Sequence, residues 1–425
     1  MVRSISRRSF LAGSAVVAAS LSAGLAGCAS GSGSSGNASD TKVDSALMGS
    51  DGVDHTPLDT SKVGSDEYTI RLGMTKGNPN PVAVINAYQE GYFDDENAIV
   101  DLTIVEDMGT AYSSVATNDL DMVVAMNLAL NRIAAGEENL YMAGGIMSEG
   151  GVCAVAPDSN ITLKSAEDFR GLTICGIQAD SELIVIEALL LNSGLKRGED
   201  YKVIYTESMS VGCENVLKGT ADVAIFNGVP VYMIAVKSGL KIAAYNEDLV
   251  GKYPCCRMTV NKAMVTEHNY ALTQFLVAEL RGYTLFKENK EQTVKNLAAF
   301  TGVDAESLEA VYYGTDSFRT AMEIVMDPQV DYIKTYYEDY KTCGFIDPEI
   351  PYELNDYFYN EAYVAALEVL SKRGVTEIDC LGKPFDPELE NAVAQADSSE
   401  GEPGTVCTVL QKGYRTEDRV IRHAM

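Results

Sequence analysis

A strand, a proline-rich polar loop, a helix and a second strand follow one another in residues 68–105, and this succession limits what the chain can build. Tyr68, Ile70, Leu72 and Met74 alternate with polar or small residues, the period of a strand with one buried face. Lys76-Gly77-Asn78-Pro79-Asn80-Pro81 ends it, because proline lacks the ladder N–H and glycine weakens the pleat. Val84, Ala87 and Tyr88 then recur at helical spacing, Gly91 takes the place of a helix-ending glycine, and Leu102, Ile104 and Val105 begin the next strand. A loop at the carboxyl end of a parallel strand, beside a helix N-terminus, points N–H groups and partial positive charge outward. Such a place suits an anion or a polar small molecule, although an ordinary α/β unit has the same pattern.

The same logic repeats downstream. A helix opens at Gly109-Thr110-Ala111-Tyr112, and residues 118–124 read as a turn into a buried strand with Asn127 at its carboxyl end. Apolar strands are expected at 139–146 and 153–156, and a helical turn at 163–170 feeds another strand. Gln178, Asp180 and Ser181 then lead into a helix over 183–192 closed by Gly194, with the Asp or Ser as its cap. Strands at 201–206, 221–228 (ending in Asn227) and 240–245 surround a helix at 213–218. Two sets of strand, polar turn and helix predict two α/β lobes facing each other.

The first residues read as an address. Ser6-Arg7-Arg8-Ser9-Phe10-Leu11 has the form of a twin-arginine export signal, and the apolar run that follows is too short and too weakly apolar for a membrane span. It ends in Leu25-Ala26-Gly27-Cys28, a bacterial lipobox, which makes Cys28 the expected lipidated residue. Residues 29–65 are rich in Gly, Ser, Asp and Thr without periodicity and read as a flexible tether.

Charge and composition exclude several classes. A formal net charge of −28 argues against nucleic acid and against direct contact with an anionic membrane surface, because like charges repel. Three histidines, His55, His268 and His423, stand far apart, and no C-x-x-C pair is present, so a zinc site or a histidine-based catalytic triad has little to build on. No metal or cofactor is expected. Cys255-Cys256 reads as a buried apolar pair, with a ligand-facing pair or a strained disulfide as alternatives.

Arg71-Leu72-Gly73, Gly91-Tyr92-Phe93, Asn118-Asp119-Leu120-Asp121, Phe169-Arg170-Gly171-Leu172 and Lys218-Gly219-Thr220-Ala221-Asp222 together resemble the solute-binding proteins of ABC importers, in the sulfonate (SsuA), taurine, nitrate and thiamine-precursor group. Tyr253-Pro254-Cys255-Cys256-Arg257 resembles a Pro-Cys-Cys turn of some of these proteins. The resemblance covers about residues 66–366. It implies a periplasmic-binding-protein-like (type II) α/β fold with two lobes, a ligand cleft and a hinge. Lobe 1 would comprise 66–156 and lobe 2 157–250, with crossings near Pro157 and Lys252. Residues 251–366 would return to lobe 1 and supply its terminal helices, where Leu272, Phe275, Leu276 and Leu280 have amphipathic spacing. The candidate ligand contacts are Lys76, Asn78, Thr110, Asn127, Gln178, Ser181, Asn227 and Arg257.

From residue 367 the pattern changes to short alternating runs and glycine turns, the mark of a small β-rich unit. Leu410-Gln411-Lys412-Gly413-Tyr414 and its surroundings resemble the C-terminal β-domain of GrpE, the nucleotide exchange factor of DnaK-type chaperones. In that resemblance Arg419 takes a basic, chaperone-touching position, whereas Glu390 stands where the family usually has His, and the long dimerising helix of GrpE is missing. The expected function is therefore a non-enzymatic, lipid-anchored receptor outside the cytoplasm. It would take a small anionic or polar organic solute and an ABC permease as partners. The alternative is nucleotide exchange on a DnaK-type chaperone through residues 367–425, which the export signal contradicts in location. An enzyme on the same bilobal fold would need a His near the Cys pair, and none accompanies it.

Overall fold

The computed structural model describes residue 48 and residues 51–425, except 107, 127, 179, 228–231, 233–236, 317, 321, 350–353, 375, 394–401 and 416–419. The leader with Cys28, as well as Asn127 and Arg419, lies outside the described residues.

The opening unit forms as its pattern dictates. Strand β1 (Thr69–Thr75) buries Ile70, Leu72 and Met74; helix α1 (Val82–Glu90) follows and stops at Gly91, whose φ of 75° is the left-handed conformation that glycine adopts without cost. Strand β2 (Ile99–Val105), helix α2 (Met108–Ala116), β3 (Met122–Met126) and β4 (Leu140–Glu149) continue the first lobe. The second lobe holds β5 (Gly151–Val155), β6 (Thr173–Gly176), helix α3 (Ser181–Asn192), β7 (Lys202–Tyr205), helix α4 (Met209–Leu217), β8 (Val223–Asn227) and β9 (Lys241–Tyr245). The chain returns through β10 (Pro254–Asn261) to the long helix α5 (Asn269–Glu288), then β11 (Met322–Ile324), α6 (Val330–Thr342) and α7 (Glu361–Ser371). Three short strands, β12 (Thr376–Glu377), β13 (Tyr414–Arg415) and β14 (Val420–Arg422), close it.

Two sheets carry the body. The first has six strands in the order β11-β4-β10-β3-β1-β2, with β1 parallel to both β2 and β3 and β10 antiparallel to both β3 and β4. The second has five, in the order β7-β6-β8-β5-β9, again parallel around β6 and antiparallel at β5. This is a periplasmic-binding-protein-like α/β fold with a third, small sheet β12-β13-β14 at the C-terminal end.

Two sequence expectations are corrected here. The chain leaves the first sheet at Gly150, before the expected Pro157, because β5 already belongs to the second sheet. Residues 254–257 are not a turn: they begin β10, a strand buried at every position, which sits inside the first sheet between β3 and β4. An edge-compatible proline at the first position of β10 had disguised it.

Helix α5 anchors the first lobe. Leu272, Phe275, Leu276 and Leu280 are all buried on it, as their spacing predicted, and Phe275 stacks on Phe93 at 4.7 Å. Each such side chain contributes about 1.5–3 kcal/mol by leaving water. Gly282 lets α5 touch α1, since a Cβ there would strike the Ala83 carbonyl. A second apolar cluster runs from Tyr112, Val123 and Leu130 of the first lobe to Ile174, Ile184 and Ile225 of the second and to Tyr336 and Tyr340 of α6. The halves are thus joined by shared apolar packing as well as by the chain crossings.

Candidate functional site

Where the chain crosses between sheets, the carboxyl ends of β6 and β8 meet the amino ends of β5 and β10. The register places Asn227 opposite Gly151, and Cys256 opposite Met126. Glu149 and Gly150 both have positive φ, 58° and 108°, which turns the chain sharply into the second lobe. Gly151 then passes so close to Asn246, Glu182 and Tyr253 that a Cβ would collide with all three. The Gly151 N–H donates to the Tyr253 hydroxyl at 2.9 Å, and the Glu149 N–H donates to the Tyr253 carbonyl at 3.0 Å, so both crossings are tied together.

Asp180 caps α3, its extended backbone allowing Oδ1 to accept from the Ser181 N–H at 3.1 Å. Glu182, fully buried in the first turn, accepts from Asn227 Nδ2 at 2.8 Å through Oε1 and from Asn246 Nδ2 at 3.0 Å through its main-chain carbonyl. Asn227 Nδ2 also donates to Cys255 Sγ at 3.3 Å, and Cys255 Sγ lies 3.4 Å from Cys256 Sγ. Both thiols are free, as are the other described cysteines.

Electrostatics follow from burial. Burial holds the Glu182 carboxyl well above the usual range, and the neighbouring Asp180 carboxyl adds to it. Asp180 is itself raised to about 6 by burial. The Cys255 thiol is pushed up by its hydrogen bond to Cys256 and by burial, so it stays protonated and is no nucleophile. Among the described residues no cluster of His, Cys, Asp and Glu is arranged to hold a metal ion.

Of the sequence-derived candidates, Ser181 and Asn227 enter this buried cluster together. Gln178 is exposed on the loop after β6, and Thr110 is exposed on α2. Lys76 is exposed after β1, 3.9 Å from Glu106, and Asn78 shapes its own loop by accepting from the Asn80 N–H at 3.0 Å. Arg257 is buried with all five N–H donors committed to the protein. Nε donates to the Pro328 carbonyl (2.6 Å), Nη1 to those of Met147 and Cys256 (2.7 and 2.8 Å), and Nη2 to Ser148 and Gln329 (3.2 and 2.8 Å). It staples β10 to β4 and to the start of α6, leaving no donor for a solute. Asp180, Glu182 and Tyr253 were not foreseen as site residues. The available signal was Asp180-Ser181-Glu182 heading an otherwise apolar helix, which reads equally well as ordinary capping.

Comparison with known proteins follows this geometry. A family model described as NMT1/THI5 like matches residues 78–293, about half of the chain, and the GrpE family model matches residues 362–425. The "Protein GrpE" of Parageobacillus thermoglucosidasius is 54% identical over 63 residues, 15% of this chain and 28% of that protein, so the chain spans little more than a quarter of that relative's length. Among solved structures, the periplasmic nitrate-binding protein NrtA of Synechocystis PCC 6803 superposes with a TM-score of 0.58 at 13% identity, covering 71% of this chain and 89% of that one. The periplasmic aliphatic sulphonate binding protein SsuA of Escherichia coli gives 0.55 at 13% identity, covering 69% and 92%. The desulfurization enzyme DSZB shares the fold too, at 0.52 and 13% identity, covering 71% and 99%. At such identities the likeness concerns the fold. The chain belongs to the NMT1/THI5-like family and carries a segment of the GrpE family at its C-terminal end.

Proposed function

We propose that this protein is the solute-binding component of an ABC-type importer and takes a small solute between its two lobes. The observation that carries this reading is the convergence of second-lobe polar groups, Asp180, Ser181, Glu182 and Asn227, at the ends of β6 and β8, against Cys255 of β10 from the first sheet. Polar groups gathered out of water at the meeting of two lobes bind strongly, because a low dielectric sharpens every contact. The protonated Cys255 and the absence of a nearby His among the described residues favour binding over catalysis, although the fold alone would serve an enzyme. The leader supports a location outside the cytoplasm, with lipid on Cys28 as the anchor and an ABC permease as the partner. Calorimetric titration of the purified chain with sulfonates, nitrate and small nitrogen heterocycles tests the reading. Saturable heat with one class supports it, and none with any class overturns it.

A second reading rests on the GrpE segment: nucleotide exchange on a DnaK-type chaperone. Its measurement is ADP release from such a chaperone in the presence of the full chain. Acceleration would establish it, and an unchanged rate would remove it.

A further inference from the structure

Four strands stand at the margins of the two large sheets, and three of them are guarded. β11 has three residues, and its Glu323 is tied to Lys252 at 2.9 Å. β7 has four residues and opens with Lys202, and β9 opens with Lys241. Short length and lysine are the ordinary means by which a sheet edge is kept from pairing with another chain, because an edge leaves a row of backbone N–H and C=O groups unpaired. β2 has neither. It runs for seven residues, Ile99-Val100-Asp101-Leu102-Thr103-Ile104-Val105, without lysine, arginine, proline or glycine. Its register with β1 is regular over all seven, with no bulge to twist it away, and β1 is its one strand partner among the described residues. Ile99 and Ile104 are 47% and 45% exposed, and Val100 and Leu102 are only half covered by the first-lobe core.

What fits this edge is written in its own pattern. The strand is symmetrical about Leu102, with apolar residues at 99, 100, 102, 104 and 105 and polar ones at 101 and 103. Laid antiparallel on a second copy with Leu102 opposite Leu102, it sets Val100 against Ile104 on the face that adjoins the core. On the other face it sets Ile99 against Val105 and Asp101 against Thr103. Residues directly opposite share a face, so every apolar side chain meets an apolar one and the single charge meets a hydroxyl. Centring the pair on Asp101 would oppose two carboxylates, and centring it on Thr103 would set Asp101 against Val105. A shift by one residue would put Leu102 against Asp101 or Thr103.

We propose that β2 is the interface of a two-fold dimer, in which β2 of one copy pairs antiparallel with β2 of a second about Leu102 and the two six-stranded sheets join edge to edge. The two-fold axis uses the same edge in both copies, so assembly stops at two. Val100, Leu102 and Ile104 of both copies form one apolar strip across the joint and leave water. β4, from which the chain crosses into the second lobe, is separated from β2 by β10, β3 and β1, so the joint lies away from the crossing. The proposal stands on the first sheet alone and is independent of the receptor reading.

Sedimentation velocity of the purified full chain over a concentration series tests it, with the mass of two copies expected at the high end. Asp101 and Thr103 are exposed, so Thr103 can be changed without disturbing the core. Thr103→Asp places a carboxylate opposite Asp101 and should weaken the dimer by about tenfold, since the two-fold axis repeats the pair. Thr103→Lys places an ammonium there and should tighten it, and both effects should shrink in high salt. Leu102→Cys should crosslink to its counterpart under mild oxidation, because opposite Cα atoms in such a pair lie roughly 4.5–5.5 Å apart. Ile99→Cys faces Val105 and should not link to itself; peptide mass mapping distinguishes the two. A single-copy mass at every concentration overturns the proposal and leaves the edge to a strand of a different protein. A dimer indifferent to both Thr103 variants, or one without the 102–102 link, overturns it in favour of another surface. Growth beyond two copies overturns it too, because a two-fold joint is closed.

Discussion

The first lobe and the C-terminal segment bury their residues on very different scales. Around the six-stranded sheet, α1 and α5 assemble a continuous apolar cluster that includes Ile70, Leu72, Val84, Met258, Leu272, Phe275 and Leu297. The three-stranded sheet has Ile378, Cys380 and Ala424 as its own buried cluster, with Leu389, Val406, Val409 and Val420 partly covered. A core that small does not offset the conformational entropy of some sixty residues. The segment instead leans on the lobe. Helix α7 buries Ala362, Tyr363, Ala366 and Leu370 against the first-lobe core, and the Tyr363 hydroxyl meets that of Tyr414 at 3.2 Å. Arg422 is buried with its guanidinium 5.0 Å from the Tyr414 ring and 5.7 Å from that of Tyr283 on α5. Asp44–Met425 accordingly forms one compact unit. A likeness to a domain of another family therefore does not make this stretch a separate domain here.

That contrast can be broken or sharpened experimentally. Phe275→Ala, in the centre of α5, should cost about 3–5 kcal/mol in denaturant unfolding, because it leaves a cavity in the larger core. If the segment depends on the lobe, hydrogen exchange at β13 and β14 should quicken in the same variant; unchanged protection there would mark the segment as self-sufficient. Arg422→Ala should cost about 2 kcal/mol, the range of a desolvated cation–π contact with its packing. It should shift one common transition, and a separate early transition of the segment would refute the dependence. The last test reads a slope, not a single change in stability. Burial raises Glu149 to about 8 from an ordinary 4.5, so the folded state keeps a proton that the unfolded state has lost. Its stabilising contribution is complete below about pH 4.5 and disappears as the pH rises toward 8, at up to about 1.4 kcal/mol per pH unit. Glu149→Gln should flatten that part of a stability–pH curve measured by denaturant titration, and an unaltered slope would assign the dependence to other acids.

Much of the fold was legible because its periodicities are local. β1, α1 with its Gly91 stop, α3 and the buried face of α5 all lie where alternation, capping and helical spacing put them. The site was legible only in part. Ser181 and Asn227 could be named as candidates because a polar residue heading a helix and a short polar residue ending a strand are local signals. Glu182 could not, because its meaning depends on Asn227 and Asn246, 45 and 64 residues away. Arg257 misled for the same reason: a lone arginine after two cysteines looks like a ligand contact until Pro328, Met147 and Gln329 take its donors.

The amino-acid sequence determined the succession of strands and helices and the two family likenesses, since these depend on residues within a few turns of each other. The tertiary structure decided that β10 is a central strand, that an acid pair is buried at the head of α3 beside Asn227, and that the GrpE-type segment rests on the first lobe through Tyr283. Each of these is a matter of which distant side chains share a space from which water is excluded, and pairing energies of that kind have no periodicity along the chain.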